Sequence, residues 1–334
     1  MGDLMSDDSG EYDALLLVAF GGPESMDDVA PFLNRVTAGR PIPTERLAEV
    51  ADRYRSVGGR SPLNARLRTL QASVSERLVD RGVNTPVFWG NRNAAPLLVD
   101  TITEMRDARV SRALAWVASP YASYSACRQY TENIETARTA VGPGAPVVDR
   151  IGSHHDHPGL IGPAADRLVE ALDRLPTGSR DRAHLLFSAH SIPSSMAADC
   201  DYVAQLHEVA RLVAQRVDPA GHHDREVVWQ SRSGPPQIPW LEPDVGDRID
   251  ALAASGVDAV VISPIGFPVE NFEIVWDLDV EAAGRAERAG VAFQRAGAID
   301  DDPRFVDMVV DLFLGHNPAT APTCRADCCP PPSR

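Results

Sequence analysis

Residues 185–196 read LLFSAHSIPSSM, and this stretch gives the clearest indication of the fold class. A short apolar run without alternation leads into Ser188 and His190, and Pro193 ends it. Such a run is typical of a parallel strand that is buried on both faces. The pattern therefore predicts a strand that carries His190 to its carboxyl end, where ligands bind in open α/β sheets.

Similar runs recur along the chain, separated by amphipathic stretches. The predicted strands lie at 14–20, 86–90, 113–118, 145–148, 184–188, 226–230 and 259–264. Apolar residues spaced three or four apart predict helices at 63–78, 95–106, 127–140, 159–172, 203–217 and 245–254. Strands that alternate with helices imply βαβ units and parallel sheets. Turn-forming residues near 141–158 divide the chain into two similar α/β halves.

The chain contains no lysine, so all 32 basic residues are arginines. This excludes Schiff-base lysine chemistry, a P-loop lysine and a kinase-type lysine. Any anion that a side-chain cation binds must be bound by arginine, whose planar fork suits carboxylates and phosphates. The formal net charge of −15 argues against a general nucleic-acid binder, but a local arginine cluster still admits an anionic substrate.

Length and composition limit the class of protein. A chain of 334 residues with 44% hydrophobic residues suggests two domains and a full core. The longest apolar stretch, 14–20, is shorter than the roughly 20 residues of a membrane span. The acidic start, MGDLMSDDSGEYD, does not resemble a signal peptide, so we expect a cytoplasmic protein without a transmembrane segment.

His190 is the first candidate for chemistry. At a strand end an imidazole can accept a proton or bind a metal. The alternative is a histidine whose hydrogen bonds are satisfied in a loop. In residues 263–282, a helix predicted to begin near Val269 spaces four carboxylates three or four apart, namely Glu270, Glu273, Asp277 and Glu281. This row is either a solvated surface or a path for a divalent cation or protons.

Three further segments allow two interpretations each. Residues 227–245 hold two tryptophans and four prolines, which form either a flat surface for a planar ligand or a rigid packing loop. The basic segment 40–60 either receives carboxylates or is a charged helix face. The cluster SHHDHPG at 153–159 suggests a metal site, but we interpret it as a polar loop that opens a helix at Pro158.

Five cysteines are present, at Cys127, Cys200, Cys324, Cys328 and Cys329. Disulfides are rare in cytosolic proteins. Three cysteines within a short proline-rich tail therefore suggest a metal first.

Seven motifs resemble those of ferrochelatases, the enzymes that insert ferrous iron into a porphyrin in haem synthesis. They occur in family order over residues 13–315: AFGGPES (19–25), DRYRSVGGRSPLN (52–64), WGNRNAAP (89–96), SPYASYSACRQY (119–130), SAHSIP (188–193), WQSRSGPPQIPWLEPD (229–244) and ISPIGFPVENFEIVWDLD (262–279). The cysteine pattern and the SRSGPP loop resemble the actinobacterial branch, whose substrate is understood to be coproporphyrin III rather than protoporphyrin IX.

The resemblance implies a chelatase-type α/β fold. It consists of two Rossmann-like domains, each a parallel sheet flanked by helices, with a C-terminal helix that crosses back to the first. The expected limits are a flexible N-terminus at 1–12, domain I at 13–150, domain II at 151–300, the C-terminal helix at 301–316 and a Cys/Pro-rich tail at 317–334. A porphyrin cleft lies between the two domains.

The resemblance also implies roles for single residues. His190 matches the histidine that takes pyrrole protons or binds the incoming iron, and Glu273 matches its glutamate partner. The positions that match porphyrin or propionate contacts are Arg53, Tyr54, Ser61 and Tyr130. Cys127 and the tail cysteines Cys324, Cys328 and Cys329 match the four ligands of a [2Fe–2S] cluster, which leaves Cys200 as the odd one out.

Some cleft positions depart from the family pattern. Asn271 stands where a histidine is usual, and an amide cannot take a proton at neutral pH. Phe20 replaces a tyrosine that ligates iron in some relatives. Ala94 and Thr37 stand where tryptophan and arginine are common.

The expected function is insertion of ferrous iron into coproporphyrin III to give Fe-coproporphyrin III. The expected partners are this propionate-bearing porphyrin and Fe²⁺, with no nucleic acid and with transient contacts to neighbouring haem-pathway enzymes. The alternatives are a non-catalytic porphyrin- or haem-binding relative, and a chelatase for protoporphyrin IX or another metal.

Overall fold

The computed structural model of the protein describes residues 12–39, 42–315 and 329–330. The predicted flexible N-terminus, apart from Tyr12, lies outside these residues, as do Arg40, Cys324, Cys328 and nearly all of the predicted tail. The predicted domain limits stay predictions.

The first half of the chain forms a parallel four-stranded sheet in the order β2-β1-β3-β4. Its strands are β1 (Ala14–Ala19), β2 (Val87–Asn91), β3 (Arg112–Val117) and β4 (Val147–Arg150). Its helices are α1 (Met26–Val36), α2 (Thr44–Ser56), α3 (Leu63–Asp80), α4 (Leu98–Asp107) and α5 (Gln129–Val141), with a short π-helix, π1 (Tyr124–Arg128), before α5.

The second half repeats this plan with a parallel sheet in the order β6-β5-β7-β8. Its strands are β5 (His184–His190), β6 (Arg225–Gln230), β7 (Ala259–Ser263) and β8 (Ala292–Arg295). Its helices are α6 (Pro158–Asp173), α7 (Ser194–Ala198), α8 (Tyr202–Val217), α9 (Val245–Ala254) and α10 (Ala283–Ala289), with a π-helix, π2 (Ile274–Ala282), before α10 and a 3₁₀ turn at Arg180–Arg182.

The central strands are buried on both faces, as their sequences predict. All six residues of Ala14–Ala19 are buried, and so are the first six residues of His184–His190. Leu16 aligns with Ala115 of β3, and Phe187 aligns with Ser263 of β7. Helices cover both sides of each sheet, so the apolar surface of these strands is removed from water on both faces. The predicted α/β class with two parallel sheets is confirmed.

The last helix, α11 (Pro303–Leu314), returns to the first half. Phe305 packs edge-on against Trp116 of β3, with 5.8 Å between ring centroids. Asp307 pairs with Arg77 of α3. Because α11 also packs on α6, it joins the two halves, and the predicted crossing helix is confirmed.

The structure differs from the sequence predictions in several places. Strand β8 and the helices α1 and α7 were not predicted, and α2 was only one of two interpretations of the segment 40–60. The helix expected to begin near Val269 begins at Phe272 instead, because Asp300 accepts a hydrogen bond from the backbone N–H of Glu270 and Arg295 pairs with its carboxylate. Glu270 therefore does not share a helix face with Glu273. Among the described helices, none combines the length and apolarity that crossing a membrane requires.

Candidate active site

His190 is the last residue of β5, and its side chain is 31% exposed after six buried residues. Its Nδ1 contacts the carbonyl oxygen of Ser191. A carbonyl only accepts, so the proton is assigned to Nδ1 and Nε2 keeps a free lone pair. The backbone carbonyl of His190 accepts a hydrogen bond from the Tyr202 hydroxyl at 3.0 Å, which fixes the strand end.

Gly266 supports the same strand end from the neighbouring strand. Its N–H donates to the carbonyl of Ser188 at 3.0 Å. A Cβ at this position would lie 2.5 Å from the Cβ of Ala189, so only glycine permits the approach. The turn after β7 therefore lies directly against the residues that present His190.

Glu273 faces His190 from the start of π2. The distance from its Oε1 to Nε2 of His190 is 3.6 Å, and its side chain is 40% exposed. This separation is longer than a normal hydrogen bond. It suits two ligands of one divalent metal, since metal bonds of imidazole and carboxylate are each about 2 Å long. The structure thus brings together the two residues that the sequence paired, 83 positions apart.

The carboxyl end of β6 holds the start of π2 in place. Gln230 is buried, and its Nε2 donates to the carbonyl of Glu273 at 3.2 Å and to Oδ2 of Asp277 at 3.3 Å. The Ser231 hydroxyl donates to the same Asp277 oxygen. Sequence reasoning missed both residues as site residues. Their position at a strand end, beside the SRSGPP motif, was the available signal.

The helix that carries the carboxylates has i→i+5 hydrogen bonding from Ile274 to Ala282. Such π segments are rare and often occur at functional sites. Burial raises the pKa of Asp277 to about 7; the Ser231 hydroxyl opposes this shift, and the charges of Glu273 and Glu281 add to it. Asp277 therefore changes its protonation state near neutral pH.

Asn271 uses its side chain for the local backbone. Its Oδ1 accepts a hydrogen bond from the backbone N–H of Ile274 at 3.0 Å. This is the hydrogen bond that a helix N-cap residue makes. The amide that replaces the usual histidine thus stabilises the first turn of the helix that carries Glu273.

Helix α2 packs on this helix from the first half of the chain. Tyr54 is 4% exposed and stacks on Phe272, with 3.6 Å between ring centroids. The guanidinium of Arg53 lies 5.3 Å from the Trp276 ring centroid and 3.6 Å from Glu281. Tyr54 and Arg53, both predicted as substrate contacts, therefore contact residues of the second half. The positive charge of Arg53 already has a carboxylate partner in Glu281.

Ser61 and Tyr130, the other two predicted substrate contacts, are both buried in the first half of the chain. Ser61 is 6% exposed, and its N–H donates to the carbonyl of Pro23 at 2.8 Å. Tyr130 is 5% exposed, and burial raises the pKa of its phenol. The charge of Glu273 adds to this shift, as it does at Tyr54. Tyr54 and Tyr130 therefore each lie within electrostatic range of Glu273.

The described cysteines lie in two settings. Cys127 of π1 is buried, and its Sγ accepts from Nη2 of Arg150 at 2.8 Å. Cys329 is also buried and contacts Cys200, where it lowers the pKa of the Cys200 thiol to about 7. Within the described ranges, no three His, Cys, Asp or Glu side chains are arranged to hold a metal ion.

The structure describes two of the segments for which the sequence left alternatives open, 227–245 and 153–159. Arg232 donates to the carbonyls of Pro235, Pro236 and Ile238, so part of the 227–245 segment is braced internally. His157 caps α6, which begins at Pro158 as predicted. Burial lowers the pKa of His154 to about 4, and its ring bonds Trp116, so this histidine is neutral and structural.

Comparisons with known proteins agree with this architecture. The chain is 45% identical to the coproporphyrin III ferrochelatase of Nocardia farcinica, over 96% of this chain and 97% of that protein. It is 47% identical to the protein of that name from Mycolicibacterium smegmatis, over 90% and 89% of the two chains. SirB from Bacillus subtilis with Fe³⁺ has a similar fold, with a TM-score of 0.53 at 8% identity over 92% of this chain and 96% of that one.

The family model described as Ferrochelatase matches residues 12–317, which contain both sheets, the His190–Glu273 pair and α11. With a match of this extent and relatives of this identity, the chain belongs to the ferrochelatase family.

Proposed function

We propose that this chain inserts ferrous iron into coproporphyrin III and releases Fe-coproporphyrin III. The observation that carries the proposal is the His190–Glu273 pair, a base and a carboxylate whose nearest atoms are 3.6 Å apart. The names of the relatives support the choice of substrate. Iron and the porphyrin are both substrates of this reaction.

The chemistry requires that two protons leave the porphyrin. One Fe²⁺ replaces two pyrrole N–H protons, so charge balances when the metal enters and both protons depart. Nε2 of His190 has the free lone pair that accepts one proton. The Glu273 carboxylate takes the second proton or guides the metal toward the macrocycle. Planar pyrrole N–H groups block the centre, so binding energy must also distort the ring.

A route for protons or metal leads away from the pair along π2. Glu273, Asp277 and Glu281 follow one another at intervals of four residues. Asp277 has a pKa of about 7, so at neutral pH it both accepts and releases protons. Gln230 and Ser231 hold it beside the pair. This supports the path interpretation of the carboxylate row, with Glu270 left out because it pairs with Arg295.

The proposed substrate contacts are Ser61, Arg53, Tyr54 and Tyr130. Arg53 has the most exposed side chain of the four, at 32%, whereas the other three are nearly buried. Tyr54, Ser61 and Tyr130 therefore form the packed wall of the cleft. Arg53 is the member that can reach a propionate.

We also propose a [2Fe–2S] cluster held by Cys127, Cys324, Cys328 and Cys329. The two described members fit the chemistry of thiolate ligands. Both are buried, and Nη2 of Arg150 donates to Sγ of Cys127 at 2.8 Å, which places a cation beside that sulfur. A bound cluster supplies one-electron redox chemistry. The cytoplasmic location and the transient contacts with haem-pathway enzymes stay predictions.

The test compares ferrous insertion into coproporphyrin III and protoporphyrin IX side by side under anaerobic conditions, followed by absorbance. We expect the higher kcat/KM with coproporphyrin III. Faster insertion into protoporphyrin IX, or faster insertion of cobalt than of iron, would favour the corresponding chelatase. Binding of either porphyrin without metal insertion would favour the non-catalytic relative.

A further inference from the structure

We propose that Arg92 is a propionate anchor of the cleft and that Arg35 supplies a second positive charge beside it. The inference rests on the proposed function, because it names how that cleft recognises a carboxylated porphyrin. It adds a binding role for two residues outside the set of substrate contacts proposed above.

Arg92 lies at the carboxyl end of the first sheet. It follows the last residue of β2, and its N–H donates to the carbonyl of Ala19, at the end of β1, at 3.0 Å. Its guanidinium carbon is 4.7 Å from the Tyr130 ring centroid and 5.5 Å from that of Phe20. Phe20 is 36% exposed. Arg92 is thus held between two aromatic rings, at the edge where parallel α/β sheets bind ligands.

The charge of Arg92 is not compensated by a carboxylate. Most arginines in the described part of the chain pair with Asp or Glu, whereas no such carboxylate lies within 4.0 Å of Arg92. Its Nε is buried and has no hydrogen-bond partner among these residues. The Tyr130 phenol that Arg92 contacts is neutral, because burial raises its pKa. A carboxylate that binds the guanidinium side-on would satisfy both the charge and the unused donor.

Arg35 adds a second positive charge at the same edge. It lies in the last turn of α1, and its Nη1 donates to the backbone carbonyl of Asn93 at 3.4 Å. It likewise has no ion pair with any described carboxylate. In a protein of net charge −15, two arginines without a described carboxylate partner therefore meet the same segment, Arg92 as part of it and Arg35 through the carbonyl of Asn93, and they favour an anion there.

Arg53 provides the contrast. Its guanidinium shares Glu281 and lies over Trp276, so binding of a propionate must compete with an existing carboxylate. Arg92 and Arg35 have no such competitor among the described carboxylates. A substrate that carries propionates places at least one of them here, with the macrocycle over the exposed face of Phe20.

The test measures porphyrin binding without iron, by fluorescence, for coproporphyrin III and its tetramethyl ester. Arg92→Gln should weaken binding of the acid about tenfold or more, because a charge-assisted pair is lost. It should leave binding of the uncharged ester unchanged. Arg92→Lys should recover part of the loss, since it restores the charge but not the fork. Arg35→Gln should weaken acid binding by a smaller factor of about three.

The control is Arg216→Gln, an exposed arginine on α8 without an ion pair to any described carboxylate, which should bind both porphyrins like the wild type. Equal loss of acid and ester binding in Arg92→Gln would overturn the proposal and indicate a packing role, as would unchanged acid binding. If Arg92→Gln does not fold, Arg92→Lys decides by the same comparison. Failure of the wild type itself to bind coproporphyrin III would overturn the proposed function instead.

Discussion

Tyr54 stacks on Phe272 with ring planes 12° apart, so helix α2 of the first half rests directly on the residue that precedes Glu273. The backbone that carries Glu273 is therefore positioned from both halves of the chain. Gln230 of the second sheet donates to the backbone carbonyl of Glu273, and the aromatic stack holds the preceding residue from the first half.

The stack gives the first prediction. Tyr54→Ala should lower the free energy of unfolding by about 3–5 kcal/mol, as other buried aromatic truncations do. Turnover should fall as well, because the support of Glu273 is loosened. Tyr54→Phe is the matched control and keeps the ring. Denaturant unfolding and steady-state kinetics measure both effects; a KM raised tenfold in Tyr54→Phe would show that the hydroxyl, rather than the ring, matters.

The pair at the strand end gives the second prediction. His190→Ala should reduce iron insertion by a factor of about 10²–10⁴, the usual contribution of a general base. Porphyrin binding should persist, because the cleft wall is unchanged. His207→Ala removes an exposed histidine of α8 and should leave the rate unaltered. Near-normal insertion by His190→Ala would contradict the assignment of His190 as the base.

Asn271 gives the third prediction. Asn271→Ala should lower the free energy of unfolding by about 1 kcal/mol, because the cap on Ile274 is lost. Asn271→Asp keeps an acceptor oxygen and should retain most of the stability. We expect Asn271→His to lose the cap without raising kcat, since the side chain at this position serves the helix. A severalfold rise in kcat would instead show that the family histidine improves proton transfer.

The buried Asp277 should make the free energy of unfolding depend on pH. Its pKa is about 7 in the folded protein, against an ordinary value of 3.8. The folded state therefore binds more protons than the unfolded state between about pH 4 and pH 7, and the free energy of unfolding falls as pH rises through this window. Asp277→Asn should remove that contribution. Ser231→Ala should extend the window to higher pH, since the hydroxyl lowers this pKa. Urea unfolding from pH 4.5 to 8 compares the three proteins.

The cysteines give the last prediction. Anaerobically purified protein should absorb visible light and contain about two iron atoms per chain, as a [2Fe–2S] cluster requires. Cys127→Ser should lose both signals. Cys200→Ser should keep them, although Cys200 contacts Cys329. Loss of iron in Cys200→Ser would make Cys200 a ligand in place of a predicted one, and an unchanged spectrum in Cys127→Ser would exclude Cys127.

The strands that present the site were predictable because they are buried on both faces and therefore apolar throughout. Strand β8 was not, since it is four residues long, half-buried and contains Gln294 and Arg295. Helix α1 has Pro31 in its interior, where proline disfavours a helix, although its buried residues Val29, Phe32 and Leu33 have helical spacing, and α2 is strongly polar with one buried residue. These elements depend on packing against other parts of the chain, which local sequence does not encode.

The features of the site likewise divide into those that the sequence predicts and those that it does not. His190 was predictable because a strand end dictates its position, and Glu273 followed from the family motif. The hydrogen bonds from Gln230 and Ser231 to π2, and the uncompensated charge of Arg92, depend on which residues lie nearby in three dimensions. The same holds for the contact between Cys200 and Cys329, two residues that the sequence had assigned to different groups.

The return of α11 to the first half affects how the protein is made. Phe305 completes the packing around Trp116, yet almost two hundred residues separate them along the chain. N-terminal domains commonly fold first during synthesis. Here the first half leaves the ribosome long before α11, so it must begin to fold without the helix that completes its packing. The apolar face that Phe305 covers stays open until α11 itself has been made, so chains interrupted before Pro303 should be the ones that chaperones retain and proteases remove.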